Sequence, residues 1–314
     1  MSERKKTQTE DYNKNNLIEN LLNKLLTGVL TLISYLPFNL TYLLSDFLCF
    51  IISRVIKYRR KVILDNLQYA FPEKSAEEIR LIMKKFYKHF SDLILETVKL
   101  HTISDYELNS RINVHGLDIA ESYFKQNKSL IVLAMHHNNW EWSSIIQKKA
   151  NHKILIIYNP VRGNKTFEKF LIHSRERWGS RCVPVNRSAR AALDFHHRGI
   201  PSALWLSADQ TSPANSKFWT IFLNREAPFF SGPEKIAART NAPVIFQHIK
   251  KTGRGRYEFH FTTLIEKPTE ADPDEILLSY VRKMEEIIRK EPEYYLWSHR
   301  RWKHKRPEGI PLTL

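Results

Sequence analysis

Between residues 129 and 208 the chain repeats one alternation: a strand-length apolar run, then a stretch with helical patterning. The apolar runs are "SLIVLAM", "KILIIY", "RCVPV" and "SALWLSA"; between them lie "NWEWSSIIQKKA", "KTFEKFLIHSRERW" and "RSARAALDFHHRG". Continuous apolar runs without alternating polarity belong to strands buried on both faces, the condition of central parallel strands. Parallel neighbours need crossover connections, and the helical segments, two of them stopped by Gly179 and Gly199, supply them. The pattern therefore predicts an α/β fold, a single domain with a mainly parallel central sheet flanked by helices. Further on, "APVIFQHIKKTGRGRYEFHFTTLIE" reads as an antiparallel hairpin turning between Gly253 and Gly255. "DPDEILLSYVRKMEEIIRK" reads as a helix capped by Asp272, with Pro273 at its first position.

The N-terminal part follows other rules. Its first sixteen residues are polar and read as a tail, and they contain no apolar region of a secretory signal. From Leu25 to Ser45 no charge occurs over 21 residues, and about 20 apolar residues suffice to span a bilayer. Pro37 and Asn39 interrupt the stretch, Asp46 ends it, and "FLCFIIS" continues to Arg54. Lys57, Arg59, Arg60 and Lys61 follow directly, and cations beside an apolar segment are drawn to an anionic cytoplasmic leaflet. Residues 17–62 are expected to be a helical membrane anchor, either a span or a hairpin, ahead of an α/β domain over residues 63–314. A helix opens that domain: Ser75 and Glu78 have capping-box spacing, and Ile79, Ile82, Met83, Phe86, Phe90, Leu93 and Val98 share one face.

Charge narrows the partners. With 49 Lys+Arg against 33 Asp+Glu the net charge is +16, which favours an anionic partner. Nucleic acid is not expected, because the cations are spread along the chain without a binding motif and leave the apolar segment unexplained. Cys49 and Cys182 are too few and too far apart for a disulfide framework or a cysteine zinc site.

Chemistry is concentrated in "AMHHNNWEW", residues 134–142, directly behind the first apolar run. That address is the carboxyl end of a buried parallel strand, where open α/β sheets place their sites. Asn138 or Asn139 can cap the following helix, which sets Glu141 in its first turn, five residues after His136. A carboxylate folded back on an imidazole fixes its tautomer, leaves the other nitrogen as an acceptor and stabilises the imidazolium. Such a dyad deprotonates an alcohol. No G-x-S-x-G elbow supplies a serine nucleophile, and no H-E-x-x-H spacing marks a zinc site. On the residues alone a dyad, a metal pair and a capped turn stay open, as does the choice between His136 and His137. The pair His196–His197 lies in an amphipathic helix and reads as a solvated face.

H-x4-E in "HHNNWE" resembles the signature of glycerolipid-type acyltransferases. The ordered set "DNLQYAFPEKS", "HHNNWEW", "YNP", "ADQ", "FLNREAPFFSGPEKIAART" and "PEYYLWSHRRWKHKRP" is similar, more narrowly, to the late acyltransferases of lipid A biosynthesis, the lauroyl and myristoyl transferase family, from about residue 25 to the C-terminus. The resemblance implies an inner-membrane enzyme with its catalytic domain facing the cytoplasm. It implies acyl carrier protein as donor, a hydroxyl of a phosphorylated glycolipid as acceptor, and neither cofactor nor metal. His136 would be the general base and Glu141 its orienting partner, with no covalent acyl-enzyme. Asp209 and Gln210, ending a strand, would position the acceptor or shape the oxyanion site. Among Arg181, Arg187 and Arg190, Arg187 is favoured for neutralising charge, since it opens a helix after a strand. Arg300 and Arg301, between Trp297 and Trp302, would meet a phosphate and the membrane interface.

Overall fold

The computed structural model of the protein describes residues 21–161 and 163–314; the tail expected over residues 1–16 lies outside them. Helix α1, described over Leu21–Ser34, turns at Pro37 into α2, Phe38–Phe50, which continues as a π turn over Ile51–Val55. Helices α3, Arg60–Ala70, and α4, Ala76–Lys99, lead into α5, Asp105–Asn109. Strand β1, Ile112–His115, and helix α6, Leu117–Lys125, precede β2, Leu130–Ala134. A 3₁₀ helix over Trp140–Lys148 then connects to β3, Lys153–Tyr158. The alternation continues through α7, Lys165–Glu176, β4, Arg181–Pro184, α8, Ser188–His197, and β5, Ser202–Ser207. A hairpin of β6, Trp219–Phe222, and β7, Arg225–Pro228, is followed by α9, Pro233–Thr240. Strands β8, Val244–Gly253, and β9, Arg256–Ile265, precede α10, Pro273–Lys290.

Seven strands form one sheet in the order β1-β9-β8-β2-β5-β3-β4, and every neighbouring pair is parallel except β8 with β9. The α/β architecture is the one the alternation predicts. All five residues of β2 are buried, as its unbroken apolar run requires. Ser75 and Glu78 close their capping box, and Asp272 caps α10 through the Asp274 N–H at 2.8 Å.

One local reading differs, and one element was not anticipated. The segment after "AMHHNN" is helical as expected but 3₁₀ rather than α. A three-residue repeat aligns Trp142 with Ile145, and both are fully buried. The segment "FLNREAP" turns as the β6–β7 hairpin, with Leu223 and Asn224 at φ of 49° and 65°. Leucine is unusual there. Its side chain is completely buried and its N–H donates to the Glu285 carboxylate, so tertiary packing overrides local preference.

The α1–α2 region is wired inside out. Ser34, Thr41 and Ser45 are buried, whereas Leu32, Leu40, Leu43, Phe47 and Phe50 are exposed. Ser45 donates to Asp92 of α4 at 2.7 Å, and Tyr42 donates to Glu96 of the same helix at 2.9 Å. Arg254, in the β8–β9 turn, bridges Asp92 and Asp46, so α2 is bolted to the body by its polar face. Phe38–Val55 is long and apolar enough to cross a membrane, by length and composition only.

Candidate active site

The register of the sheet assembles the site. Ala134 of β2 lies opposite Ser207 of β5, so His136 and Asp209, each two residues beyond, emerge side by side. His136 Nδ1 lies 2.7 Å from Asp209 Oδ1, and the His136 backbone N–H donates to Oδ2 at 3.0 Å. Asp209 is buried, which alone would raise its carboxyl; the charge and hydrogen bonds of His136 outweigh this and hold it below the usual carboxylate range. An ionised Asp209 accepts from Nδ1–H, and that tautomer leaves the Nε2 lone pair free to accept. Nε2 accepts from the Gln210 amide at 3.2 Å, and the edge of Trp140 closes on the ring at a centroid distance of 4.8 Å.

Glu141 is not the group on Nδ1. Its two oxygens take the Nε and Nη2 donors of Arg175, both at 2.7 Å, in a bidentate pair. The 3₁₀ turn, capped by Asn139 accepting from Trp142 N–H at 3.2 Å, carries Glu141 toward α7 rather than back to the imidazole. Burial would raise the Glu141 carboxyl, but the Arg175 guanidinium lowers it below its ordinary value, and His136 adds to that effect. Burial would likewise lower Arg175, and Glu141 reverses it. Both partners are thus charged, and both line the cavity that receives His136.

That cavity measures about 520 Å³; His136, Trp140, Glu141, Arg175 and Gln210 form its polar end, and Ile156, Leu171 and Ile236 are among its apolar walls. A second, largely apolar cavity of about 410 Å³ is lined by Leu30, Phe90, Leu93, Phe167 and Phe170. Trp140, Leu171 and Leu296 belong to both. Two apolar spaces therefore meet beside one basic nitrogen.

The turn that carries His136 is gripped from three directions. Asn139 donates to Glu96 at 2.7 Å, and Tyr257 donates to the same oxygen at 2.7 Å. Asn138, at φ 56°, donates its side-chain amide to Ile249 O at 2.8 Å. Leu296 N–H donates to His136 O, and Asn138 N–H to Tyr294 O, both at 3.1 Å.

Of the residues singled out in the sequence, His136, Glu141, Asp209 and Gln210 meet at this site. Arg187 does not line the cavity; it is exposed, as are Arg181 and Arg190. Arg300 is also exposed, and its carbonyl accepts from Thr211 at 2.8 Å. Arg301 is buried, donates to Pro228 O at 2.7 Å and lies 4.2 Å from the Phe229 ring centroid. Burial lowers its guanidinium below the ordinary value. The sequence reading passed over Arg175, which stands in the amphipathic pattern of α7 like any surface cation.

A histidine held by an aspartate at the ends of adjacent parallel strands, facing a cavity with apolar walls, defines an α/β protein with a candidate active site at the carboxyl edge of its sheet. The whole chain says which kind. It belongs to the bacterial lipid A biosynthesis acyltransferase family, whose profile it matches over residues 13–304, and it is an acyltransferase. Its relatives include the lipid A biosynthesis lauroyltransferase of Escherichia coli strain K12, 27% identical over 90% of this chain and 92% of that protein. The lipid A biosynthesis palmitoleoyltransferase of the same organism is 25% identical over 90% of each chain. The corresponding myristoyltransferase is 22% identical over 82% of this chain and 79% of its own.

Proposed function

We propose that the protein transfers a fatty acyl group from acyl carrier protein to a hydroxyl of a phosphorylated lipid A precursor, with His136 as general base. The observation that carries this reading is the fixed imidazole: Asp209 on Nδ1, and Nε2 directed to Gln210 at the polar end of an apolar cavity. The acceptor hydroxyl takes the place of the Gln210 amide on Nε2 and gives up its proton as its oxygen attacks the thioester carbonyl. A carbon–oxygen bond forms, the carbon–sulfur bond breaks, and the imidazolium returns the proton to the departing thiolate. No acyl-enzyme is required. Asp209 stabilises the imidazolium at contact distance, and Glu141 does so through its nearby charge. Arg175 and the released Gln210 amide are the donors available to the carbonyl oxygen as it becomes negative. The two apolar spaces on either side of Trp140 suit a reaction that brings two hydrocarbon chains together.

The exposed apolar faces of α1 and α2, followed by Arg54, Lys57, Arg59, Arg60 and Lys61, support a place on the cytoplasmic side of the inner membrane. The excess of cations suits both an acidic carrier protein and a phosphorylated glycolipid.

The test is an assay in detergent micelles with a tetra-acylated lipid A precursor and lauroyl or myristoyl carrier protein, read by product mass beside His136→Ala. A gain of one acyl chain, absent in the variant, is expected. Acylation of lysophospholipids, aminolipids or other glycolipids instead would move the acceptor to another membrane lipid and leave the His136 chemistry standing.

A further inference from the structure

Ten buried side-chain polar atoms lack a hydrogen-bond partner among the described residues, and four of them gather about one side chain, His137: His89 Nε2, Asn138 Oδ1, His248 Nε2 and Glu291 Oε2. His137 is itself almost fully buried. The His248 ring lies 6.1 Å from it between centroids, and the rings of His89 and His137 flank Tyr294 at 4.8 and 6.0 Å. Native interiors leave few polar groups unpaired, and two of these four, His248 Nε2 and Glu291 Oε2, belong to residues whose ligand atoms converge with that of His137.

We propose that His137, His248 and Glu291 form a binding site for a divalent transition-metal ion of the zinc class, separate from the reaction at His136. One ligand atom from each of the three lies within 4.8 Å of the others. Ligands about 2.0–2.2 Å from a tetrahedral zinc stand roughly 3.3 Å apart, so closure by up to about 1.5 Å completes the site. The Glu291 carboxylate, on a half-buried side chain, can make that movement. The Glu291 carbonyl oxygen, 3.1 Å from His137 Nε2, is placed as a fourth ligand. With the metal on Nε2, the ring proton moves to Nδ1, where the Ile249 carbonyl is placed to accept it; the Asn138 amide, 3.1 Å from Nδ1, then gives up that contact and keeps its bond to Ile249 O.

Protonation state favours the same assignment, since a metal needs neutral imidazoles. Burial drives His137 down to about 4 and His248 down to about 3, so both are neutral at physiological pH. Lys250 and Lys283 lie near His248 and also keep it neutral, while their charge opposes a cation; Glu291 and Glu293 offset them. The site is therefore an exchangeable one that a chelator empties. A bound ion would join β8, the catalytic turn and the segment after α10. The trio His115, Glu258 and His260 also has metal-binding spacing, but there Glu258 and His260 already bond each other at 3.2 Å and His115 is exposed. It serves as the control.

Full-length protein, stripped with chelator in detergent micelles, is titrated with Co²⁺ followed by visible ligand-field absorption, and with Zn²⁺ by calorimetry. One equivalent is expected, with a raised thermal midpoint. His248→Ala and Glu291→Gln should each weaken binding by at least about tenfold, and His115→Ala should bind as wild type does. Glu291→Gln decides alone if His248→Ala does not fold. Absence of any stoichiometric binding to wild type would overturn the proposal, with water satisfying the unpaired groups. So would binding lost in His115→Ala and kept in the other two variants.

Discussion

The crevice at His136 and the chamber behind it at His137 are built from consecutive residues and share almost nothing else. His136 is 17% exposed in its side chain, touches a cavity, and has a carboxylate on one nitrogen. His137 is 1% exposed, faces Glu291 and His248, and among the described residues no carboxylate is hydrogen-bonded to its ring. Extended backbone sends adjacent side chains to opposite sides, and that alternation separates a histidine that opens onto a cavity from one kept neutral by burial. The lesson concerns environment: residue type is the same, and the sheet register decides which imidazole meets an aspartate.

The largest test of this contrast is His136→Ala, expected to lose roughly two to four decades of turnover, the range for removing a general base. His137→Ala should lose far less; equal losses would mean that the two regions act as one. Next is Asp209→Asn, which keeps the shape and misassigns the tautomer, for an expected loss of about two to three decades in kcat. Glu141→Gln separates the two carboxylates. It should lose less activity than Asp209→Asn, but breaking its buried pair with Arg175 should destabilise the fold by about 3 kcal/mol, read as a lower urea midpoint. A reversal of that order would return the orienting role to Glu141.

A smaller effect comes from acid. Burial holds His137 at about 4, against about 6.5 in the unfolded chain. Between these values the unfolded state binds more protons than the folded one, so stability rises with pH and is lost on acidification through that window. For His137 alone the loss is on the order of 3 kcal/mol over the full window, and denaturation at pH 7 and pH 4.5 measures it. An unchanged midpoint would mean that the chamber is hydrated and its imidazoles are free to charge. The smallest expected effect is that of Tyr42→Phe, which removes one donor to Glu96 and should cost about 1.5 kcal/mol.

The helices and central strands were legible because each is written locally: the apolar runs become β2, β3 and β5, and Ser75 and Asp272 sit at the caps they announce. The addresses of His136 and Asp209 at strand ends were legible too. Their pairing was not, because it depends on β2 and β5 being neighbours in register, 73 residues apart in sequence. Glu141 looked like the partner since sequence distance is the only distance a sequence displays. Arg175 was missed for a related reason: it is one cation of an amphipathic helix, and only the packing of α7 over the 3₁₀ turn brings it to Glu141. The "FLNREAP" hairpin hid behind a leucine in a conformation that local preference disfavours.

The inside-out wiring of α2 also sets an order of events during synthesis. Its apolar side is complete as soon as the segment leaves the ribosome. The partners of its polar side arrive later: Asp92 follows Ser45 by 47 residues, Glu96 follows Tyr42 by 54, and Arg254 follows Asp46 by 208. Domains fold as their residues become available, so until Arg254 emerges the nascent chain presents an uncovered greasy helix whose hydrophilic seam has no final dock. Custody of that helix is thus a problem of translation timing, one that lasts until most of the central sheet has been made.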